Sequence, residues 1–85
     1  MSSLFKFTVF WGERLIVEGP GGSFVLDIPM GIPTAILPPE DDWRQRGPPW
    51  ARSMWPELRS ELQAWCQARN YGFRIEEGAT VVYGS

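Results

Sequence analysis

The chain has 85 residues, and its 8 basic and 10 acidic side chains give a formal net charge of −2 at pH 7. This length predicts a single domain over residues 1–85 with a small core. The acidic balance argues against nucleic-acid binding, which requires a surplus of cationic groups near phosphates. The sequence contains no histidine, which excludes Ser-His-Asp and Cys-His catalysis and His-ligated zinc.

Cys66 is the only cysteine, so it has no partner for an internal disulfide or a thiolate metal site. This usage favours a reducing compartment, and we expect a cytoplasmic protein. The N-terminal residues lack the basic start and apolar core of a secretory signal. No apolar run reaches the roughly 18–20 residues needed to span a bilayer, so we expect no membrane association.

The first third of the chain has the period-two pattern of β-strands. The first strand alternates through Phe5, Phe7, Val9 and Trp11. A turn at Gly12-Glu13 leads to a second strand at 14–18. A turn at 19–22 then leads to a third strand at 23–28. Three strands joined by short connections predict an antiparallel meander.

Prolines dominate the middle of the chain, where seven of the eight fall between residues 29 and 56. The sequence predicts a long proline-rich loop at about 29–52 because proline removes a backbone donor and fixes φ. Residues 34–37 fit a short edge strand, although prolines bracket them. Trp43 and Trp50 favour an ordered loop lying over the fold, since disordered linkers contain few aromatic residues.

The last third predicts one helix and two strands. Ser53 is the expected N-cap of a helix that begins at residue 54 or 55 and runs to about residue 70. Its apolar stripe contains Trp55, Leu58, Leu62, Trp65 and Cys66. Leu62 and Trp65 are expected to be nearly fully buried, and burial should leave the Cys66 thiol unreactive. Strands at 71–76 and 79–83 are expected to form a hairpin through Glu77-Gly78.

These elements predict an α+β fold with the order β-β-β-loop-α-β-β. Two layers are expected, one antiparallel sheet and one helix packed on one of its faces.

No stretch of the sequence predicts a catalytic, metal or cofactor site. Glu40, Asp41 and Asp42 offer oxygen ligands or an acid/base pair, but adjacent acids beside prolines are more typical of a solvated turn. The glycines at 19–22 precede a strand rather than a helix, which indicates a turn rather than a phosphate loop. An enzyme that uses these acids with Arg44 is the less favoured alternative.

The segment from residue 43 to 52 is the candidate partner-binding surface. Tryptophan and arginine are the side chains most enriched at binding hot spots. The candidate contacts are Trp43, Arg44, Arg46, Trp50 and Arg52. Alternatively, the two tryptophans hold the loop on the sheet while the arginines are solvated or pair with the neighbouring acids. The sheet face around Lys6, Thr8 and Phe10 is the next candidate.

Several segments together resemble small immunity proteins of bacterial polymorphic toxin systems. The resemblance follows strands with a Gly-Gly pair, AILPPED at 35–41, LRSEL at 58–62 and YGFRIE at 71–76, and covers roughly residues 14–77. In these proteins two strands lead to a Pro-Pro loop, a helix and a final strand. Residues 43–53 and the terminal hairpin depart from this pattern. The resemblance implies a non-enzymatic protein that blocks a toxin by binding it.

From the sequence we therefore expect a small non-enzymatic protein that acts by protein–protein interaction. One alternative is an accessory domain that binds a small ligand in an aromatic pocket between loop and sheet. The other is a structural domain with no separable site.

Overall fold

The computed structural model describes residues 4–10, 14–29 and 33–83, which form two sheets, two α-helices and a 3₁₀-helix. The predicted α+β class is confirmed. In chain order the elements are β1 (Lys6–Phe10), β2 (Arg14–Gly19), β3 (Gly22–Asp27), β4 (Thr34–Leu37), α1 (Glu40–Arg46), the 3₁₀-helix (Pro49–Met54), α2 (Trp55–Ala68), β5 (Gly72–Ile75) and β6 (Val81–Val82).

The larger sheet has four antiparallel strands in the order β1-β2-β3-β6. Its first three strands confirm the predicted meander. Gly19 and Gly22 face each other across the β2–β3 turn, and Gly22 has a φ of +150°, a conformation that glycine adopts readily. The predicted turn at Gly12-Glu13 lies outside the described residues, as does Trp11.

The segment predicted as a long loop contains three regular elements: β4, α1 and most of the 3₁₀-helix. Residues 34–37 do form a strand, which pairs in parallel with β5. Pro39 precedes α1, and three acids, Glu40–Asp42, lie in its first turn, where the helix dipole favours negative charge. The prolines therefore mark the borders of short elements rather than a region without structure.

The predicted hairpin between residues 71–76 and 79–83 is wrong, because the two strands belong to different sheets. β5 pairs with β4, whereas β6 pairs with β3 through Val81↔Leu26 and Val82↔Val25. The Gly72 N–H donates to the Pro33 carbonyl at 2.8 Å, which aligns β5 with the start of β4. Period-two alternation identifies strands but contains no information about which strand pairs with which.

Helix α2 begins at Trp55, directly after the 3₁₀-helix, and no side chain caps its N-terminus. The predicted N-cap Ser53 lies inside the 3₁₀-helix, where the backbone is already helical. The Trp55 Nε1–H donates to the Pro38 carbonyl at 2.9 Å, which joins the start of α2 to the end of β4. Within the described residues, 4–10, 14–29 and 33–83, no helix is long and apolar enough to cross a membrane.

One hydrophobic core joins the sheets and the helices. It contains Phe5, Leu15, Val17, Phe24, Leu26, Ile28, Ala35, Leu37, Trp43, Ala51, Leu58, Leu62 and Cys66. Leu62 is fully buried as predicted. Trp65 is only half-buried, contrary to the prediction. It lies at the flank of the stripe, at the edge of the sheet. The centre of its ring is 5.7 Å from that of Phe7 and 5.5 Å from that of Tyr71.

Replacement of Leu62 by alanine should lower the free energy of unfolding by about 2–5 kcal/mol, because it leaves a cavity in this core. The matched control is Gln67→Ala on the exposed side of α2, which should change stability by less than about 0.5 kcal/mol. Urea unfolding followed by tryptophan fluorescence measures both. Similar values for the two variants would contradict the orientation of α2.

Candidate protein-binding surfaces

Trp43 is an interior anchor and not a surface contact. Its side chain is fully buried, so it cannot contact a partner in this fold. The Nε1–H donates to the Ala51 carbonyl at 2.7 Å, and the ring packs edge-on against Phe24 at 5.1 Å. This position gives no support to its prediction as a partner-binding residue. The burial agrees with the alternative interpretation, in which this tryptophan holds the segment on the sheet.

Trp50 lies on the glycine turn between β2 and β3. A Cβ atom added at Gly21 would lie 2.5 Å from Trp50 Cγ, and one added at Gly19 would lie 2.6 Å from Trp50 Cη2. The glycines are thus needed for close contact with the indole. Trp50 and Trp43 occupy the space between the segment and the sheet, where the alternative ligand-binding interpretation places an aromatic pocket.

The three arginines of the segment do not form a common surface. Arg46 donates to the Ala79 carbonyl and to Asp42, both at 2.9 Å. Arg52 donates through Nε to the Gly47 carbonyl at 2.9 Å. Arg44 lies 3.6 Å from Glu40, and its side chain is 65% exposed. Two of the three arginines therefore bond to backbone carbonyls of the fold, whereas Arg44 pairs with a side chain, and all three remain exposed.

The three acids of α1 serve the fold in different ways. Asp42 accepts the Gly78 N–H at 3.2 Å and the Arg46 guanidinium at 2.9 Å. These hydrogen bonds, chiefly that of Gly78, hold the pKa of Asp42 below its ordinary value. Asp42 thus links α1 to the turn between β5 and β6. Asp41 is exposed beside it, and Glu40 pairs with Arg44.

The outer face is the side of the four-stranded sheet opposite the core. A row of side chains crosses all four strands in register, as Thr8, Ile16, Val25 and Val82, and the last three are apolar. Val82 is 57% exposed and Phe10, at one end of the face, is 53% exposed. Charged residues border the row, with Lys6 beside Glu18 at one end and Arg14 beside Asp27 at the other. The face presents an apolar centre within a polar border.

The β1–α2 cleft lies between the outermost strand of this sheet and helix α2. One part encloses about 360 Å³ and is lined by Phe7, Thr8, Val9, Trp65, Arg69 and Tyr71. A second part of about 450 Å³ adjoins it and shares Phe7 and Trp65. The Arg69 guanidinium lies 4.7 Å from the centre of the Trp65 ring. The cleft combines an aromatic wall with a cationic group.

Sequence reasoning named one strand of the outer face and missed the rest. Lys6, Thr8 and Phe10 were the second candidate, but Ile16, Val25 and Val82 had no predicted role. The signal for the missed residues is that β2 and β3 each carry one apolar residue, Ile16 or Val25, between polar residues on the solvated side. Trp65 was assigned to the buried helix stripe because helical spacing does not show where the sheet ends.

Comparisons of this chain with protein-family models, with curated proteins and with solved structures found no match. Function must therefore be inferred from the surfaces of the chain itself. The outer face and the β1–α2 cleft both expose apolar and charged groups together.

Replacement of Trp43 by phenylalanine should lower the free energy of unfolding by about 1–3 kcal/mol, because the buried Ala51 carbonyl loses its donor. The matched control is Trp55→Phe. It removes the same N–H group from a half-buried ring, whose hydrogen bond to Pro38 is only part-buried, so its loss should cost less. Thermal unfolding of both variants measures the difference. Equal losses would show that burial of the Trp43 hydrogen bond does not increase its contribution to the free energy of unfolding.

Cys66 should react much more slowly with a thiol reagent in the native protein than in the denatured one. The side chain is fully buried, and burial raises the pKa of the Cys66 thiol and disfavours the reactive thiolate. The control is Ser60→Cys in a Cys66→Ser background, which places a thiol on the exposed side of the same helix. Native labelling of Cys66 as fast as that of the control would contradict its buried position.

Proposed function

We propose that this chain is a small non-enzymatic cytoplasmic protein that binds another protein through its outer face. One observation carries the proposal: the outer face exposes Phe10 and Val82 together with the half-buried Ile16 and Val25. Exposed apolar surface bordered by polar residues is typical of protein–protein contacts. The resemblance to immunity proteins supports the same class of function, in which binding alone blocks a toxin.

The charges at the border indicate which charges a complementary partner carries. Arg14 and Asp27 lie side by side at one end of the row, and Lys6 and Glu18 lie side by side at the other. A complementary partner presents an apolar patch between two pairs of opposite charges. Such charges at the rim contribute to orientation and association rate more than to affinity. The apolar centre should therefore dominate the affinity.

A small-ligand function is the second candidate, and the β1–α2 cleft favours it. Phe7, Trp65 and Tyr71 supply an aromatic wall, and the volume of about 360 Å³ falls within the range of ligand pockets. This candidate makes a different prediction, because a bound small molecule would remain with the native protein in native mass spectra.

The test compares capture of a stoichiometric protein partner by tagged parent and variants. Phe10→Asp combined with Val82→Asp places two charges in the apolar surface and should weaken binding of that partner at least tenfold. The matched control, Ser60→Asp with Gln67→Asp, adds the same charge to the exposed side of α2 and should bind like the parent. Unfolding temperatures of all three proteins show whether each is folded.

Undiminished binding by a folded outer-face variant would overturn the outer face as the contact surface. Retention of a small molecule, with no stoichiometric protein partner, would favour the second candidate.

A further inference from the structure

The outermost strand β1 has backbone groups whose direction follows from the register of the sheet. Gly19 and Gly22 flank a two-residue turn, and in such hairpins the flanking pair exchanges both hydrogen bonds. Because the direction alternates along a strand, Val17 and Leu15 also bond to β3, and the residues between them bond to β1. Thr8, the partner of Ile16, therefore directs its N–H and C=O groups toward β2.

Alternation then places the N–H and C=O groups of Phe7 and Val9 on the free edge of β1. A separate observation agrees with this direction: the Phe5 N–H, two residues earlier, donates away from β2 to Glu61 of helix α2 at 3.0 Å. Within the described part of the chain, no strand pairs with this edge. Two residues of β1 thus present the backbone template to which an added strand bonds.

The β1–α2 cleft lies directly beside this template. Trp65 divides it into two parts, one next to Arg69 and Val9 and the other next to Ala64 and Phe5. Side chains two residues apart on a strand are about 6.6–6.8 Å apart and point to the same face. An added strand can therefore place one side chain in each part, on either side of Trp65.

The charges of the cleft distinguish its two parts. The Arg69 guanidinium stacks on Trp65 at 4.7 Å, and no described carboxylate lies within ion-pair distance of it. At the opposite end, Glu61 is already engaged by the N–H groups of Leu4 and Phe5. Lys6 lines the second part as well, so the cleft has two cationic groups that attract a carboxylate, and Arg69 is the one that lies on the aromatic wall.

We propose that the β1–α2 cleft binds an extended acidic peptide segment as a fifth, antiparallel strand of the sheet. Its backbone bonds to Phe7 and Val9. An Asp or Glu side chain lies against Arg69, and an apolar side chain two residues later lies against Ala64. The order acidic-x-apolar follows from the antiparallel direction, because the incoming strand passes Val9 first and Phe5 last. This site shares Thr8 with the row of the outer face but has its other contacts elsewhere, and it goes beyond the proposed function.

A second copy of the chain fits the same edge less well. Antiparallel pairing of two β1 strands about a two-fold axis at Thr8 brings the two Arg69 side chains to the same axis, since Arg69 and Thr8 line the same part of the cleft. Like charges at that position repel. An acidic peptide instead neutralises Arg69, so charge favours the peptide as occupant.

The test uses a fluorescein-labelled peptide, Thr-Glu-Val-Leu-Thr-Gly, and the same peptide with Glu and Leu exchanged. Fluorescence anisotropy should show saturable binding of the first peptide by the parent protein, and at least about tenfold weaker binding of the exchanged peptide. Arg69→Gln should weaken binding of the first peptide about tenfold, because a charge-assisted contact is lost. Arg59→Gln is the matched control, since Arg59 also lies over a tryptophan of α2, Trp55, at 6.0 Å but outside the cleft.

Backbone pairing is tested separately from charge. Val9→Pro removes one free N–H group from an edge position where the native sheet does not use it, so the fold should tolerate the change while peptide binding falls. Hydrogen exchange of the Phe7 and Val9 amides in the parent should slow when the peptide is bound. The outer-face variant Val82→Asp should bind the peptide like the parent.

Three results would overturn the proposal. The first is no saturable binding of the acidic peptide up to about 1 mM, the limit of weak specific affinity. The second is binding that Arg69→Gln and Val9→Pro leave unchanged in folded protein. The third is protection of Phe7 and Val9 that rises with protein concentration in the absence of peptide, which would identify a second copy as the occupant.

Discussion

The hydrogen bond from Trp43 to the Ala51 carbonyl, at 2.7 Å, is the constraint on which the middle of the chain depends. Trp43 is fully buried, and a buried indole N–H without an acceptor costs about 1–3 kcal/mol. The bond fixes α1 against the 3₁₀-helix, while the same ring packs on Phe24 of the larger sheet. Trp50 can then reach the glycine turn of β2 and β3. The proline-rich segment is therefore part of the interior, which leaves the opposite side of the sheet uncovered.

Local patterns in the sequence were sufficient to predict most strands, helix α2 and the burial of Leu62 and Cys66. Strand pairing was not predictable, because residues 71–76 and 79–83 have the same alternation whether they form a hairpin or join two sheets. Their partners are set by contacts distant in sequence, such as the Glu76 N–H to the Leu37 carbonyl at 3.1 Å. Helix α1 did leave a signal, since Asp42 and Arg46 are spaced for an i,i+4 pair. The proline content favoured a loop over the helix that this spacing indicates.

The candidate site shows a different limit of sequence reasoning. Tryptophan and arginine are enriched at binding hot spots, but both also serve as interior anchors, since each combines apolar surface with hydrogen-bond donors. Arg46 and Arg52 use those donors on backbone carbonyls of the same chain. Composition cannot distinguish the two uses, because the acceptors are brought close only by the fold. The apolar row of the outer face was likewise hidden until the register aligned Ile16 with Val25.

The pleat of strand β1 directs its outward side chains and its free backbone groups to different surfaces. The side chains of Lys6, Thr8 and Phe10 point to the outer face, whereas the backbone of Phe7 and Val9 faces the free edge. Two residues offer at most about four backbone hydrogen bonds, each with a net contribution near 1 kcal/mol, which is too little to offset the ordering of a free peptide. Affinity and selectivity at the edge must therefore come from the cleft side chains, above all Arg69 and Trp65. Of the side chains that line the cleft, Thr8 also belongs to the row of the outer face, so partners of the edge and of the outer face share little contact surface.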